Sequence, residues 1–407
     1  MFHAKRLEQV AARIAARDAE RELLFVEVDP GRIPRLDPVT FTAKNFELAV
    51  SPDSSYSFLE EAISSARKEL LLYIYNISAP YLLQLLRDRV EHGVRMRIMY
   101  DTHDTGSAER KALNTLGAEV REAPSSGARS VFSPCHQKMM VIDGQSAVVG
   151  SANWATSSIP KPATSGQYKM GNREWLIRIG DKAVAKWFRD FFNADWNIPE
   201  TRGVALERVP PPGIGPASAM LDVMRIPSRR FPSRSISATA QVRPILCPTN
   251  YLPDVKALLS SAKRSIYLQQ QYIKAGAGVN ELMKVVAKKS ATCDVRIIGT
   301  TKFPEAWQDT IDTVSAAGLL DRLRALNLAY FVHCHNKGIV VDRKRVVVCS
   351  TNWSSDSIHR AREAGVIVES TEIAGYYADV FEFDWDEGIP ASQAKQVMME
   401  IHPADTH

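Results

Sequence analysis

His136-Gln137-Lys138-Met139-Met140-Val141-Ile142-Asp143, followed by Gly150-Ser151-Ala152-Asn153, returns about two hundred residues later. The second copy reads His335-Asn336-Lys337-Gly338-Ile339-Val340-Val341-Asp342, followed by Cys349-Ser350-Thr351-Asn352. In both, the lysine follows the histidine by two, the aspartate follows the lysine by five, and Ser and Asn recur at matching offsets. The flanks repeat as well. A helical stretch, Leu59–Lys68, leads into the strand-like Leu70–Ile74, and Val255–Arg264 leads into Ile266–Gln270. Further β-like stretches follow at Val94–Tyr100 and Asp294–Ile298, and aromatic helices ending in Asp-Trp close each half at Phe188–Trp196 and Tyr376–Trp385. Strands alternating with helices predict an α/β fold, with a mixed, mostly parallel sheet flanked by helices in each of two lobes. A repeat this long marks a pseudo-two-fold duplication, not a solenoid.

Bulk properties set the frame. The 407 residues carry a formal net charge of +5, and 45% are hydrophobic, which is ordinary for a globular chain with ample core. No apolar run approaches a membrane span, and Met1-Phe2-His3-Ala4-Lys5-Arg6 lacks the apolar stretch of a secretory signal. Five scattered cysteines do not form a disulfide framework, so a reducing cytoplasm is the expected location. The expected division is an N-terminal helical and strand extension over 1–44, a first lobe over 45–200, a Pro/Arg-rich linker over 201–240, a second lobe over 241–390 and a tail over 391–407. Residues 4–24 read as an amphipathic helix docked on the body. In the linker, Arg225, Arg229, Arg230 and Arg234 read as a solvated surface rather than a phosphate contact.

The chemistry lies in the repeated phrase. Cys135–Val141 and Val332–Val341 are rich in β-formers, and residues two apart on a strand face the same way. His136 and Lys138 then point together, as do His335 and Lys337. Two imidazoles and two ammonium groups around one phosphate suit a phosphodiester reaction, because stabilising charge on the phosphoryl oxygens is the main task of such a site. One histidine attacks phosphorus to give a covalent phosphohistidine. The other protonates the leaving oxygen and then activates the second nucleophile. His136 is read as the nucleophile and His335 as the acid and base. Ser151, Asn153, Ser350 and Asn352 are candidate hydrogen-bond donors to the phosphate. The lysines supply positive charge, so neither a metal nor a cofactor is expected. Cys135-His136 and His333-Cys334-His335 place Cys and His on opposite strand faces, which argues against zinc.

Two copies of HxKxxxxD with trailing GSxN turns resemble the phospholipase D superfamily over about residues 45–200 and 240–388. The resemblance implies one site between two halves, in an intramolecular pseudo-dimer of a monomeric chain. It also implies a carboxylate downstream of each turn that orients a histidine; the candidates are Glu174 and Glu363, each preceded by Arg and followed by an apolar run. Asp143 and Asp342 then read as structural, fixing the turn between strands. One departure is Cys349, where the first copy has Gly150.

The substrate is open at this stage. The expected activity is hydrolysis of a phosphodiester, with phospholipid headgroup and nucleic acid level. The alternatives are a metal-independent nuclease, a phosphatidyltransferase of the cardiolipin synthase kind and, last, a non-catalytic phosphate-binding module. Apolar loops near Phe132 and Phe331 would serve a lipid, whereas no basic stripe with interleaved aromatics favours nucleic acid. Trp154 and Trp353 read as packing residues, and Asp101-Thr102-His103-Asp104 as a loop beside the cleft or simply a polar loop.

Overall fold

The computed structural model describes residues 36–125, 129–199 and 225–394, together with 31, 33 and 34. The helix expected over 4–24 and most of the expected linker lie outside these residues. The first half runs β1 (Phe41–Ser51), α1 (Ser55–Ser64), β2 (Glu69–Ile74), α2 (Pro80–Glu91), β3 (Arg95–Tyr100), α3 (Ser107–Asn114) and β4 (Glu119–Glu122). It continues with β5 (Lys138–Ile142), β6 (Ser146–Gly150), β7 (Glu174–Ile179) and α4 (Lys182–Trp196). The second half repeats this order with β8 (Arg234–Cys247), α5 (Tyr251–Ser260), β9 (Ser265–Gln270), α6 (Val279–Lys289), β10 (Asp294–Gly299), α7 (Pro304–Ala316) and β11 (Leu323–Ala325). It ends with β12 (Lys337–Val341), β13 (Arg345–Cys349), the short α8 (Ser355–His359), β14 (Glu363–Glu369), α9 (Thr371–Asp386) and β15 (Ile389–Pro390).

The strands form one sheet in the order β15-β11-β10-β9-β12-β13-β14-β8-β1-β7-β6-β5-β2-β3-β4. The order is a near palindrome about β8 and β1, which pair antiparallel at the centre. Two corrections follow. The halves share a single sheet instead of owning one each, and among its strands parallel pairing is confined to β2–β3–β4 and β9–β10–β11. The motif strands come from antiparallel hairpins, β5–β6 and β12–β13, whose tight turns need few residues. The expected boundaries also shift at the centre. Arg234, assigned to the linker, begins β8, and Phe41, assigned to the N-terminal extension, begins β1; both strands are needed to join the halves.

Local sequence explains the elements. β2, β5 and β12 are buried on both faces and read as continuous apolar runs. Asp181 caps α4 by accepting from the amides of Ala183 and Val184, and Ser370 caps α9 through the Ile373 amide. Three apolar clusters result. Two lie within single halves, around α1–α2 and around α5–α6. The third runs through both halves and includes α4, α9 and Trp175. There Trp175 covers Gly338, where an added Cβ would come within 2.2 Å of the indole.

The replacement of Gly150 by Cys349 is accommodated across the neighbouring strand. Gly150 pairs with Leu176, and Cys349 pairs with Gly365. A Cβ on Gly150 would lie 2.6 Å from the Trp175 carbonyl, and one on Gly365 would lie 2.2 Å from Cys349 Cβ. Each pair has room for one side chain, and the two halves place it on opposite strands.

Candidate active site

The chain just ahead of each motif strand leaves its own half. Ser133 N donates to Arg360 O (2.9 Å), Arg362 N to Pro134 O (2.8 Å) and His136 N to Arg362 O (2.8 Å). In the reciprocal crossing, Val332 N donates to Gly171 O (2.9 Å), Arg173 N to His333 O (2.9 Å) and His335 N to Arg173 O (3.2 Å). These are isolated parallel bridges that pair Cys135 with Arg362 and Cys334 with Arg173. The expected motif strands are thus shorter than their apolar sequence suggests, and both histidines lie before Lys138 and Lys337, in the crossing segments.

Alternation along an extended chain sorts these residues into two layers. On the cleft side stand His136 with Glu363 and His335 with Glu174. His136 Nδ1 lies 3.0 and 2.9 Å from the Glu363 oxygens, and His335 Nδ1 lies 2.7 Å from Glu174 Oε1. Each histidine is therefore oriented by the carboxylate of the other half. Ser151 Oγ donates to Glu174 Oε2 (2.6 Å) and accepts from Trp175 N (3.1 Å), while Ser158 Oγ donates to Glu174 Oε1 (2.7 Å). Ser357 Oγ donates to Glu363 Oε1 (2.5 Å), and Ser350 Oγ bonds the backbone of Ala364. Ser151 and Ser350 thus brace the glutamate strands, which corrects their expected role as phosphate donors. Asn153 and Asn352 each keep a buried amide oxygen without a partner among the described residues.

Behind this layer stand Cys135, Arg362, Cys334 and Arg173, all fully buried. Arg362 makes a two-toothed contact with Asp195, at 2.8 Å to each oxygen, and Tyr73 OH donates to the same carboxylate (3.2 Å). Arg173 reaches Asp384 (2.8 Å), Asp53 (2.6 Å) and Ser51 O (3.1 Å), and Gln269 donates to Asp384 (2.7 Å). Asp195 and Asp384 are the aspartates of the repeated Asp-Trp helix ends, so these ion pairs also cross between halves. Phe132 and Phe331 lie under Arg362 and Arg173, at 4.7 and 4.2 Å from ring centre to guanidinium carbon. They are buried, which overturns their reading as lipid-facing.

Electrostatics prepare the site for an anion. Burial works to raise Glu174, but His335 and Lys337 overcome it and hold the carboxyl at about 2. Glu363 is likewise lowered, against its burial, by His136 and Lys138. Burial also lowers His136 and His335, against the pull of the glutamates. Both imidazoles are then neutral, with Nδ1–H on a carboxylate and the Nε2 lone pair free. Burial takes Lys138 down to about 7 and Lys337 to about 8. Lys138 Nζ donates to His136 O and stands 5.1 Å from the Tyr75 ring centre, whereas Lys337 Nζ donates to His335 O and to Gln271 (3.1 Å).

The other candidates fall away from the reacting groups. Asp143 and Asp342 adopt left-handed φ of 52° and 58°. Each accepts backbone N–H bonds from the start of a neighbouring strand, at Arg67, Lys68 and Glu69, and at Lys263, Arg264 and Ser265. Asp101 accepts from Cys135 N (2.7 Å) and His103 Nδ1 (2.7 Å), so its loop braces the first crossing. Trp154 and Trp353 are buried, the latter donating to Tyr251 OH (3.1 Å). Of the linker arginines, Arg229 and Arg234 pair with Asp379 and Glu372, and Arg230 donates to Gly166 O (2.6 Å). Among the described residues, no group of His, Cys, Asp and Glu forms a metal-binding cluster, and no helix is long and apolar enough to cross a membrane.

Ser158 and Ser357 were absent from the sequence-based site. Their signal is present, since each follows its motif asparagine by five. Arg173, Arg362, Asp195 and Asp384 stood out as landmarks of the repeat, but nothing in one dimension couples them.

Known proteins resemble this chain. A family model described as "Cardiolipin synthase, PLD-like domain" matches residues 59–196 and 255–385. The chain is 26% identical over 193 residues to mitochondrial cardiolipin hydrolase of Xenopus tropicalis, across 47% of this chain and 83% of that protein. It is 24% identical over 314 residues to a cardiolipin synthase of Staphylococcus aureus strain Mu50, across 72% of this chain and 56% of that protein. The chain thus spans just over half the length of the curated synthases it matches. The crystal structure of phosphatidylserine synthase from Haemophilus influenzae Rd KW20 superposes with a TM-score of 0.59 at 14% identity, covering 85% of this chain and 86% of that one. That likeness bears on the fold alone.

Proposed function

Since the chain belongs to the family of phospholipase D-like domains of the cardiolipin synthase type, we propose that it is a phosphatidyltransferase acting on phospholipid headgroups. The observation that carries the chemistry is the pair of neutral imidazoles, each held at Nδ1 by the carboxylate of the opposite half, with two lysines beside them. His136 Nε2 attacks phosphorus, a P–N bond forms, and the P–O bond to the departing headgroup breaks. His335 takes up a proton at Nε2 from solvent as the anionic phosphate arrives, with Glu174 at Nδ1 favouring the charged ring, and delivers that proton to the leaving oxygen. An incoming alcohol then gives its proton to His335 and attacks phosphorus, breaking the P–N bond and freeing His136. Lys138 and Lys337 balance the non-bridging oxygens, and the arriving phosphate restores the protons that burial removes from them. Asn153 and Asn352 complete the hydrogen bonding. The single chain is the working unit, because it supplies both halves of the site.

The preference for an alcohol over water, and for lipid over nucleic acid, comes from the relatives, one of which is named a hydrolase and another a synthase. Incubation with phosphatidylglycerol vesicles in EDTA separates the readings. Cardiolipin and free glycerol are the expected products. Phosphatidic acid as the sole lipid product makes the enzyme a hydrolase. Inert vesicles together with cleaved single-stranded DNA would move it to the nucleases.

A further inference from the structure

The pseudo-symmetry fails at one position in contact with a reacting histidine. His333 precedes His335 by two, where the first half has Pro134 before His136. The His333 ring is 8% exposed and held on two sides. It meets His335 edge-on, with ring centres 5.4 Å apart at 80°, and Phe303 at 5.3 Å and 78°. Nδ1 lies 3.0 Å from Cys334 O and so carries the hydrogen. That fixes Nε2 as an acceptor. No donor meets Nε2 among the described residues, and the atom is not among those sealed from solvent.

Its surroundings keep it an acceptor. Burial is the main influence and brings His333 down to about 4, with Glu174 opposing and Lys337 and Lys302 assisting. It is therefore neutral at neutral pH, and ill suited to shuttle protons. Pro134 offers neither an N–H nor a lone pair on its ring. The cleft thus carries an extra hydrogen-bond acceptor beside His335 and none at the matching point beside His136, whose neighbour is the Tyr75 ring at 4.6 Å.

We infer that His333 is a specificity-determining residue for the incoming alcohol, its Nε2 accepting a hydrogen bond from a second hydroxyl when the reacting hydroxyl is placed at His335. The preferred acceptors are then diols and polyols. This rests on the transfer step proposed above, in which the alcohol proton passes to His335, the O–P bond forms and the P–N bond to His136 breaks. The second hydroxyl takes no part in bond making. It satisfies an acceptor that a simple alcohol would leave unpaired in a partly desolvated place.

The test uses the intact protein with bis(p-nitrophenyl) phosphate as donor, and 1,2-propanediol and 1-propanol together at equal concentration. The ratio of the two alkyl esters is read by mass spectrometry, and p-nitrophenol release counts total turnover. The ratio does not depend on how much enzyme is folded. Wild type is expected to favour the diol, and His333→Phe to lower that preference by roughly threefold to tenfold. A wild type indifferent between the alcohols overturns the inference without needing any variant. So does an unchanged ratio in His333→Phe. p-Nitrophenol release with p-nitrophenyl phosphate as the sole phosphate product, or no release at all, defeats the transfer reading and this inference with it.

Discussion

The two sides of the cleft agree in what stands behind the histidines and differ in what stands in front. Behind, each imidazole meets a glutamate of the opposite half, each glutamate follows a buried arginine, and each arginine meets an aspartate at the end of a helix. In front, His136 and Lys138 share the face of Tyr75, whereas His335 has His333 at its edge and Lys337 leans on Gln271. Duplication has thus kept the parts that set tautomer and charge, which both steps of the reaction use alike. The walls have diverged, and in the proposed transfer they would meet unlike ligands of phosphorus, the retained group and the exchanged alcohol.

The sharpest way to break this comparison is to remove each histidine in turn. His136→Ala and His335→Ala should each lower steady-state turnover of bis(p-nitrophenyl) phosphate by at least about 10³-fold. They should part in the first turnover. p-Nitrophenolate leaves without an acid, so His335→Ala should release about one equivalent and carry a phospho-adduct, and His136→Ala should show neither. Quenched-flow absorbance and intact-protein mass spectrometry check this, and a burst from His136→Ala alone would exchange the two roles.

The supporting layer should respond unequally as well. Asp195→Ala leaves Arg362 buried with no carboxylate partner and should cost about 3–5 kcal/mol, the usual penalty for stranding a buried charge. Asp384→Ala leaves Arg173 with Asp53 and should cost less. Urea denaturation of both variants measures the gap, and equal losses would mean that Asp53 contributes nothing.

A smaller effect separates the lysines by pH. The diester keeps its charge through the neutral range, so kcat/KM should fall by up to about tenfold per pH unit once Lys138 loses its proton near 7, and more steeply once Lys337 follows near 8. Folding should move the other way. The unfolded chain still holds protons that the folded site sheds, so these two groups make the fold more stable as pH rises from about 7 toward the ordinary lysine range. Thermal melts and pH–rate profiles on one set of buffers would show the opposed trends.

Much of this was legible in the chain. The repeat and the motif histidines and lysines follow from residue types at fixed offsets, whereas both glutamates and the structural reading of Asp143 and Asp342 came with the resemblance to the phospholipase D superfamily. The crossing did not, because Glu363 and His136 are 227 positions apart and sequence spacing carries no information on which carboxylate meets which ring. Ser151 and Ser350 were misread because a hydroxyl near a phosphate site suits either a carboxylate or a phosphate, and only the position of the glutamate strand decides. Phe132 and Phe331 misled because an apolar side chain in a polar loop reads as exposed until the guanidinium above it is known. The single sheet was hidden because β8 begins in a segment whose prolines and arginines resemble a linker.

The crossed bridges have a consequence for synthesis. A chain made from its N-terminus has His136 and Lys138 outside the ribosome well before Glu363 exists, and contacts this remote in sequence form late. Until then His136 lacks the partner that fixes its tautomer, and His335 has not joined it. A nascent chain that has not yet made His335 and Glu363 lacks both crossed contacts, so the proposed activity waits for the second half.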